Sequence, residues 1–309
     1  MATPALLAPL LTGIRRRWPL FYRRAPDFWQ LMRMHRPIGF LLLLWPTLWC
    51  LWIAGEGTPS IANVVIFVLG TLCMRAAGCC INDYADRNFD GKVKRTAQRP
   101  LVSGRILPSE ALRCCAALCV VSFLLVLLTN TLTIMMSVGG LALALVYPFM
   151  KRHTHMAQVV LGAAFSWGGM MAFTAEAGTL PPEAWLLYVG NVLWTVVYDT
   201  EYAMVDRDDD IRIGIRTSAI TFGRYDVLMV MLSYAAMLLV LGYVGYQLGM
   251  GWPYYAGLLL ALAIAGYHYT LIRTRTREGC FRAFNHNNWL GAAVFAGIAG
   301  EYWRLLGSL

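Results

Sequence analysis

Charge is scarce in this chain. Asp, Glu, Lys and Arg make up 14% of its 309 residues, where a soluble domain carries about 25%. A water-facing globular surface is excluded, and the 58% hydrophobic content with mean hydropathy +0.54 points to lipid. Alternating apolar segments are missing too, because the apolar runs are continuous, so a transmembrane β-barrel is excluded. The eight Cys include no CxxC pair and lie mostly inside apolar runs. That leaves them as small buried hydrophobes, with no disulfide framework or thiolate metal site. His35, His153, His155, His268 and His286 lack ligand spacing and read as interfacial or packing residues. There is no Walker loop, Rossmann fingerprint or GxSxG turn. The formal charge of +9 is dispersed over short segments. It therefore reads as a topology signal and not as a nucleic-acid-binding module.

What is present is a series of apolar runs near the length that crosses a bilayer. Nine spans are expected, at about 38–54, 61–81, 111–129, 132–150, 157–175, 183–200, 226–246, 253–272 and 288–306. Lys and Arg alternate across the connections. Arg87, Lys92, Lys94, Arg95, Arg99 and Arg105 lie between spans two and three, and Arg207, Arg212, Arg216 and Arg224 between six and seven. The segments 55–60, 129–131, 178–182 and 247–252 contain neither. This places the N-terminus in the cytoplasm and the C-terminus outside. The expected class is all-α, a polytopic membrane bundle of nine helices with a central cavity. Residues 1–30 form a basic N-terminal cytoplasmic segment and 31–309 a single transmembrane domain. No cleavable signal is evident. Trp18, Trp29, Trp45, Trp49, Trp52, Trp252 and Trp303 fit interfacial aromatic belts.

Two runs end in acidic clusters, and the alternation puts both on one side of the membrane. In the first, Asn82, Asp86 and Asp90 follow at i, i+4 and i+8, with Asp83 beside them. In the second, Asp199, Asp206 and Asp210 follow at i, i+7 and i+11. Each set forms a stripe on one helix face. Solvated helix ends usually mix charge signs, whereas these gather carboxylates. Ionisable groups at the edge of hydrocarbon usually mark a site. Two such faces repel unless a hard cation lies between them, and Mg2+ keeps positions open for substrate phosphates. A metal–diphosphate site is the reading. Lys92, Lys94, Arg95 and Arg99, then Lys151 and Arg152, then Arg212 and Arg216 supply cations beside it. Any one of them is equally a topology determinant. Arg75 lies inside span two and needs an anionic partner.

The residues that carry these signals resemble the UbiA superfamily of intramembrane aromatic prenyltransferases. The similarity runs through Met74-Arg75-Ala76-Ala77-Gly78-Cys79, then Asn82-Asp83-Tyr84-Ala85-Asp86 to Arg99-Pro100-Leu101. It continues through Val146-Tyr147-Pro148 to Lys151-Arg152, and from Tyr198-Asp199-Thr200 to Asp208-Asp209-Asp210. His35-Arg36 stands where relatives often have Asp-Lys, and Glu201 where Gln is frequent. The resemblance implies Mg2+ held by Asn82 and Asp86 on one wall and Asp206 and Asp210 on the other, supported by Asp83, Asp90 and Asp199. It implies that Arg152 meets the prenyl diphosphate and that Arg75 or Arg36 meets the aromatic carboxylate, with Lys94, Arg95 and Arg212 as further phosphate partners. The implied substrates are polyprenyl diphosphate and 4-hydroxybenzoate, in the bacterial inner membrane, with no nucleic acid and no obligate protein partner. Naphthoate, homogentisate and porphyrin acceptors are the alternatives inside the superfamily. Outside it, a divalent-cation transporter would put its carboxylates at the bilayer midplane, and a head-group transferase would carry a DG…AR…G…D…D pattern that is absent.

Overall fold

The structure is a computed structural model, and it describes residues 19–88, 90–92, 96–150, 153–214 and 216–307. Among these residues there are helices and turns but no strand. In chain order the helices are α1 (Pro19–Leu31), α2 (Ile38–Ala54), α3 (Ile61–Asp86), α4 (Pro108–Val126), α5 (Thr131–Met150) and α6 (Ala157–Ala177). Then follow α7 (Pro182–Ile213), the short α8 (Ser218–Phe222), α9 (Asp226–Gln247), α10 (Trp252–Ile272) and α11 (Arg277–Leu306). A helix occupies every place where a span is expected.

Among the described residues six stretches are long and apolar enough to cross a membrane: α3, α4, α5, α6, α10 and the α8–α9 run Ser218–Gln247. The protein is therefore a multi-pass, all-helical membrane protein. Helix α2 is apolar but shorter, at 17 residues. Helices α7 and α11 are less apolar because they turn polar side chains inward. Asn191, Thr195 and Glu201 on α7 and Asn287 on α11 are all buried.

Local signals set the helix ends. Pro108 and Pro182 open α4 and α7 at the first turn, where a missing N–H costs nothing. The Glu110 carboxylate accepts the Leu107 N–H at 2.8 Å, closing the start of α4. Gly214 ends α7 in the left-handed region at φ 73°, which glycine adopts without strain.

Helix α11 packs on α10, α2 and α7, while α7 also packs on α6 and α9, and α3 on α4. At the centre Trp49 stacks on Trp194 with ring centroids 5.3 Å apart. The Trp49 indole N–H donates to the Gly291 carbonyl at 3.1 Å, and that of Trp194 to Asn287 at 2.8 Å. Trp49 is thus 1% exposed and belongs to the core, not to an interfacial belt. Its neighbours Trp45 and Trp52 pack against Phe295. The expectation failed because one apolar helix face serves lipid or core equally well. Trp29, Trp252 and Trp303 are exposed, whereas Trp18 lies outside the described residues.

Helix α1 docks through Leu31 and Phe28 on a second cluster with Ala77 and Cys80 of α3. At the far end from the acidic clusters, the Glu176 carboxylate accepts the Ser60 N–H at 2.8 Å and the Asn63 amide at 2.6 Å, tying α6 to α3. Helices α10 and α11 approach backbone to backbone at Gly257 and Gly297. A Cβ at Gly257 would sit 2.7 Å from the Ala293 carbonyl oxygen and 2.7 Å from the Gly297 Cα. Both obstacles are backbone and cannot swing away. Gly257→Val should therefore lower the thermal midpoint in detergent by the equivalent of about 1–3 kcal/mol or more; an unchanged midpoint would contradict this packing.

Candidate active site

Helix α3 is 26 residues long, about 39 Å. It runs beyond the expected end of its span, so Asn82, Asp83 and Asp86 stand on helix and not on loop. Helix α7 is 32 residues, about 48 Å, and carries Asp199, Asp206 and Asp210 on its final turns. Both acidic ends line one cavity of about 1240 Å³. The cavity follows α3 from Ile66 to Asp86, a rise of about 30 Å. Leu43, Ile66, Phe67, Leu125, Val126 and Met171 line its apolar end, and the aspartates its other end.

All six aspartates and Asn82 face this space, so the two stripes separated by over a hundred residues share one chamber. Asp90 arrives differently from expectation. Helix α3 stops at Asp86, and Asp90 opens the single 3-10 turn Asp90–Lys92. The turn-forming Asn88 and Gly91 break the helix, and the loop folds back through its own bonds. The Thr96 hydroxyl donates to the Asp90 carbonyl at 2.6 Å, and the Arg99 guanidinium to the Asp90 carboxylate at 2.6 Å. Burial pushes the Asp90 carboxyl above its ordinary range, with Arg99 opposing and Asp86 and Asp83 adding to the rise.

Asp83 is nearly buried, at 1% exposure. Its Oδ1 takes Arg33 at 2.7 Å and Arg99 at 3.1 Å, while its Oδ2 has no hydrogen-bond partner. Arg33 is held with φ 58°, a left-handed backbone that a long side chain rarely adopts. Arg99 bridges α3 to the turn after it by bonding both Asp83 and Asp90. Arg75 lies against Gly39 of α2 and bonds the Cys79 thiol. Any Cβ at position 39 would occupy the space of that guanidinium.

Of the basic residues expected at the site, Arg36 and Arg75 line the cavity. Lys94, Arg95 and Arg152 lie outside the described residues. Arg212 does not face the cavity. Its side chain is 76% exposed and lies 3.9 Å from Asp209, because i+3 from Asp209 points away from the Asp206–Asp210 face. Arg33, Arg99 and Arg216 do line it, as do Tyr147, Tyr198, Tyr202 and Phe284. Arg99 and Arg216 are among the cations expected beside the site, whereas Arg33 is not; the carboxylates that Arg33 and Arg99 bind emerge only from tertiary contacts.

Among the described residues no three His, Cys, Asp or Glu side chains form a cluster that could hold a metal unaided. The donor set nonetheless suits Mg2+. It offers carboxylate and amide oxygens, including the orphan Asp83 Oδ2. Such an ion keeps several waters and is completed by substrate phosphates. Among the described residues five arginines and six aspartates line the cavity, with Arg33 paired to Asp83 and Arg99 to both Asp83 and Asp90.

A long apolar channel that ends between facing carboxylates and guanidiniums defines a membrane-embedded enzyme acting on an amphiphilic diphosphate. The chain belongs to the UbiA prenyltransferase family, whose pattern matches residues 43–289. It is 58% identical over 279 residues to the 4-hydroxybenzoate octaprenyltransferase of Ectopseudomonas mendocina (strain ymp), covering 90% of this chain and 94% of that one. It is 54% identical over 275 residues to the protein of the same name from Janthinobacterium sp. (strain Marseille), covering 89% and 97%. Its fold matches that of a UbiA homologue from Aeropyrum pernix K1 with TM-score 0.74 and 23% identity, over 87% of this chain and 98% of that chain. A UbiA homologue from Archaeoglobus fulgidus bound to GPP and Mg2+ matches with TM-score 0.67 and 17% identity, over 88% and 99%.

Arg99 is the cation shared by two carboxylates, so Arg99→Ala should cost about 1–3 kcal/mol in stability. Arg99→Lys should restore only part of it, since an ammonium lacks the planar fork. Equal thermal midpoints for the Lys variant and the parent would refute the bridging role.

Proposed function

We propose that this protein transfers the polyprenyl group of a polyprenyl diphosphate to the ring carbon ortho to the hydroxyl of 4-hydroxybenzoate. The products are 3-polyprenyl-4-hydroxybenzoate and diphosphate, a step of ubiquinone biosynthesis. The observation that carries this reading is the single cavity lined by both acidic stripes at one end and by apolar side chains along about 30 Å. The shared identity with 4-hydroxybenzoate octaprenyltransferases supports the choice of acceptor.

The active end lies at the cytoplasmic side of a bacterial inner membrane, in a nine-span bundle with its N-terminus inside and its C-terminus outside. The alternation of Lys and Arg between connections supports this orientation. The cavity opens to that face and to the membrane. Residues 1–30 are a basic cytoplasmic segment and residues 31–309 a single prenyltransferase domain.

Asn82 and Asp86 on α3, with Asp206 and Asp210 on α7, are the residues that would hold Mg2+. When bound, Mg2+ supplies Lewis-acid stabilisation of the leaving diphosphate. Asp83, Asp90 and Asp199 support this set. Arg152, Lys94 and Arg95 meet diphosphate oxygens as fixed positive charges. The allylic C–O bond breaks with its electron pair leaving on the diphosphate, and the ring carbon forms the new C–C bond. Asp199 or Asp206 accepts the ring proton that is lost. Arg75 or Arg36 takes the benzoate carboxylate. The apolar walls exclude water, which would otherwise quench the allylic cation. The tail lies along the apolar end of the cavity, whose lining is contributed by α2, α3, α4 and α6.

Asp86→Asn and Asp206→Asn should each remove divalent-metal-dependent prenylation of radiolabelled 4-hydroxybenzoate by at least about 100-fold while the protein stays folded. Chelation by EDTA should reproduce the loss, and added Mg2+ should reverse it. Full activity in either purified variant would sink the two-wall assignment. Transfer to a naphthoate or homogentisate in preference to 4-hydroxybenzoate would overturn the acceptor.

A further inference from the structure

The cavity stripe is one face of α7. Outside that stripe the same helix is bonded at three successive levels, Glu201 behind it and Arg207 and Asp209 on its two flanks. The Glu201 carboxylate accepts the Asn287 amide at 2.7 Å and the Tyr234 hydroxyl at 3.3 Å. Two turns on, Arg207 reaches Asp226 at 3.3 Å. Asp209 then takes Arg277 of α11 at 3.1 Å. Asp226, like Glu201 and Asn287, is fully enclosed, at 0% exposure. It is the first residue of α9, and its Oδ1 accepts the Val227 N–H at 2.7 Å. A second arginine, Arg275, meets it at 2.6 Å from the end of α10. One buried carboxylate thereby joins the ends of α7, α9 and α10 through two guanidiniums.

Arg207 follows Asp206 immediately in the chain, about 100° around the helix. Whatever fixes the direction of Arg207 also fixes the direction of Asp206, and of Asp210 one turn later. A displacement of 1 Å at a reacting group can cost about 100-fold, so a modest rotation of this helical end matters. We propose that Asp226 is a positioning residue, which holds α7 through Arg207 so that Asp206 and Asp210 face the opposing wall of the cavity. The inference rests on the reading of those two aspartates as metal–diphosphate ligands. Asp226→Asn keeps an oxygen that can cap the Val227 N–H and removes the charge that pairs with Arg207 and Arg275.

The test uses Asp226→Asn in the full-length protein in detergent, with Mn2+ as the probe metal and inorganic pyrophosphate as the probe anion. Bound Mn2+ is read from the loss of its free EPR signal, and steady-state kinetics are measured in parallel. Asp226→Asn should weaken pyrophosphate-dependent Mn2+ binding about tenfold. It should raise KM for the prenyl diphosphate with little change in KM for the aromatic acid. Asp226→Glu should recover most of the affinity. Glu176→Gln, at the far end of the bundle, should lower the thermal midpoint and leave Mn2+ binding as in the parent. If Asp226→Asn does not fold, Arg207→Gln is read in the same way, since it leaves the Asp226–Arg275 pair in place. Parent-like Mn2+ binding in the Asp226 or Arg207 variant overturns the inference and leaves the proposed function standing. Equal loss in the Glu176 variant also overturns it, by tracing the effect to general stability. Absence of pyrophosphate-dependent Mn2+ binding in the parent protein removes both readings together.

Discussion

Repulsion among carboxylates is the constraint around which the rest of this bundle is arranged. Six aspartates line one chamber whose walls are otherwise largely apolar, where low dielectric strengthens every like-charge contact. Part of that repulsion is met inside the protein. Arg33 and Arg99 neutralise Asp83, and Arg99 also holds Asp90. The same chamber is where the proposed divalent cation and its diphosphate would bind. A chain that only needed to fold in lipid would gain nothing from concentrating acid here.

The helices answer this constraint by overshooting. Helix α3 extends beyond its apolar stretch to Asp86, and α7 extends to Ile213. Each extension presents carboxylates to the cavity from rigid helix, which sets their geometry better than a loop does. Keeping them rigid requires support from behind. Asn287 and Tyr234 bond Glu201, while Asp226 and Arg277 engage Arg207 and Asp209. The support is ionic at Arg207 and Asp209 and runs through side-chain hydrogen bonds at Glu201.

Much of this was legible in the sequence where the signal is local. Spacing of i, i+4 marks the α3 stripe and i, i+7, i+11 the α7 stripe, and apolar run length marks the places of the helices. The alternation of basic connections brought both stripes to one side before any coordinates. Asp90 was misassigned to the helix because the break at Asn88–Gly91 competes with a continuing carboxylate period, and the bonds that decide the outcome come from Thr96 and Arg99. Trp49 was misassigned because a buried and a lipid-facing indole look alike in a uniformly apolar helix. Arg33 is hidden among arginines that also set topology, while Arg99 and Arg216 are legible as cations that follow the two acidic stripes. Glu201 stood out only as a departure from the family; Tyr234 and Asn287, its partners 33 and 86 residues away, are invisible to any local pattern.

The account turns on two acidic walls sharing one metal–diphosphate. The most direct measurement is an experimental structure with Mn2+ and a non-ionising prenyl thiodiphosphate, in which anomalous scattering locates the metal. The account predicts density between the Asn82–Asp86 and Asp206–Asp210 faces, with the diphosphate reaching both and the tail directed toward Ile66 and Phe67. Density confined to one wall, or at the exposed Asp208, would contradict it.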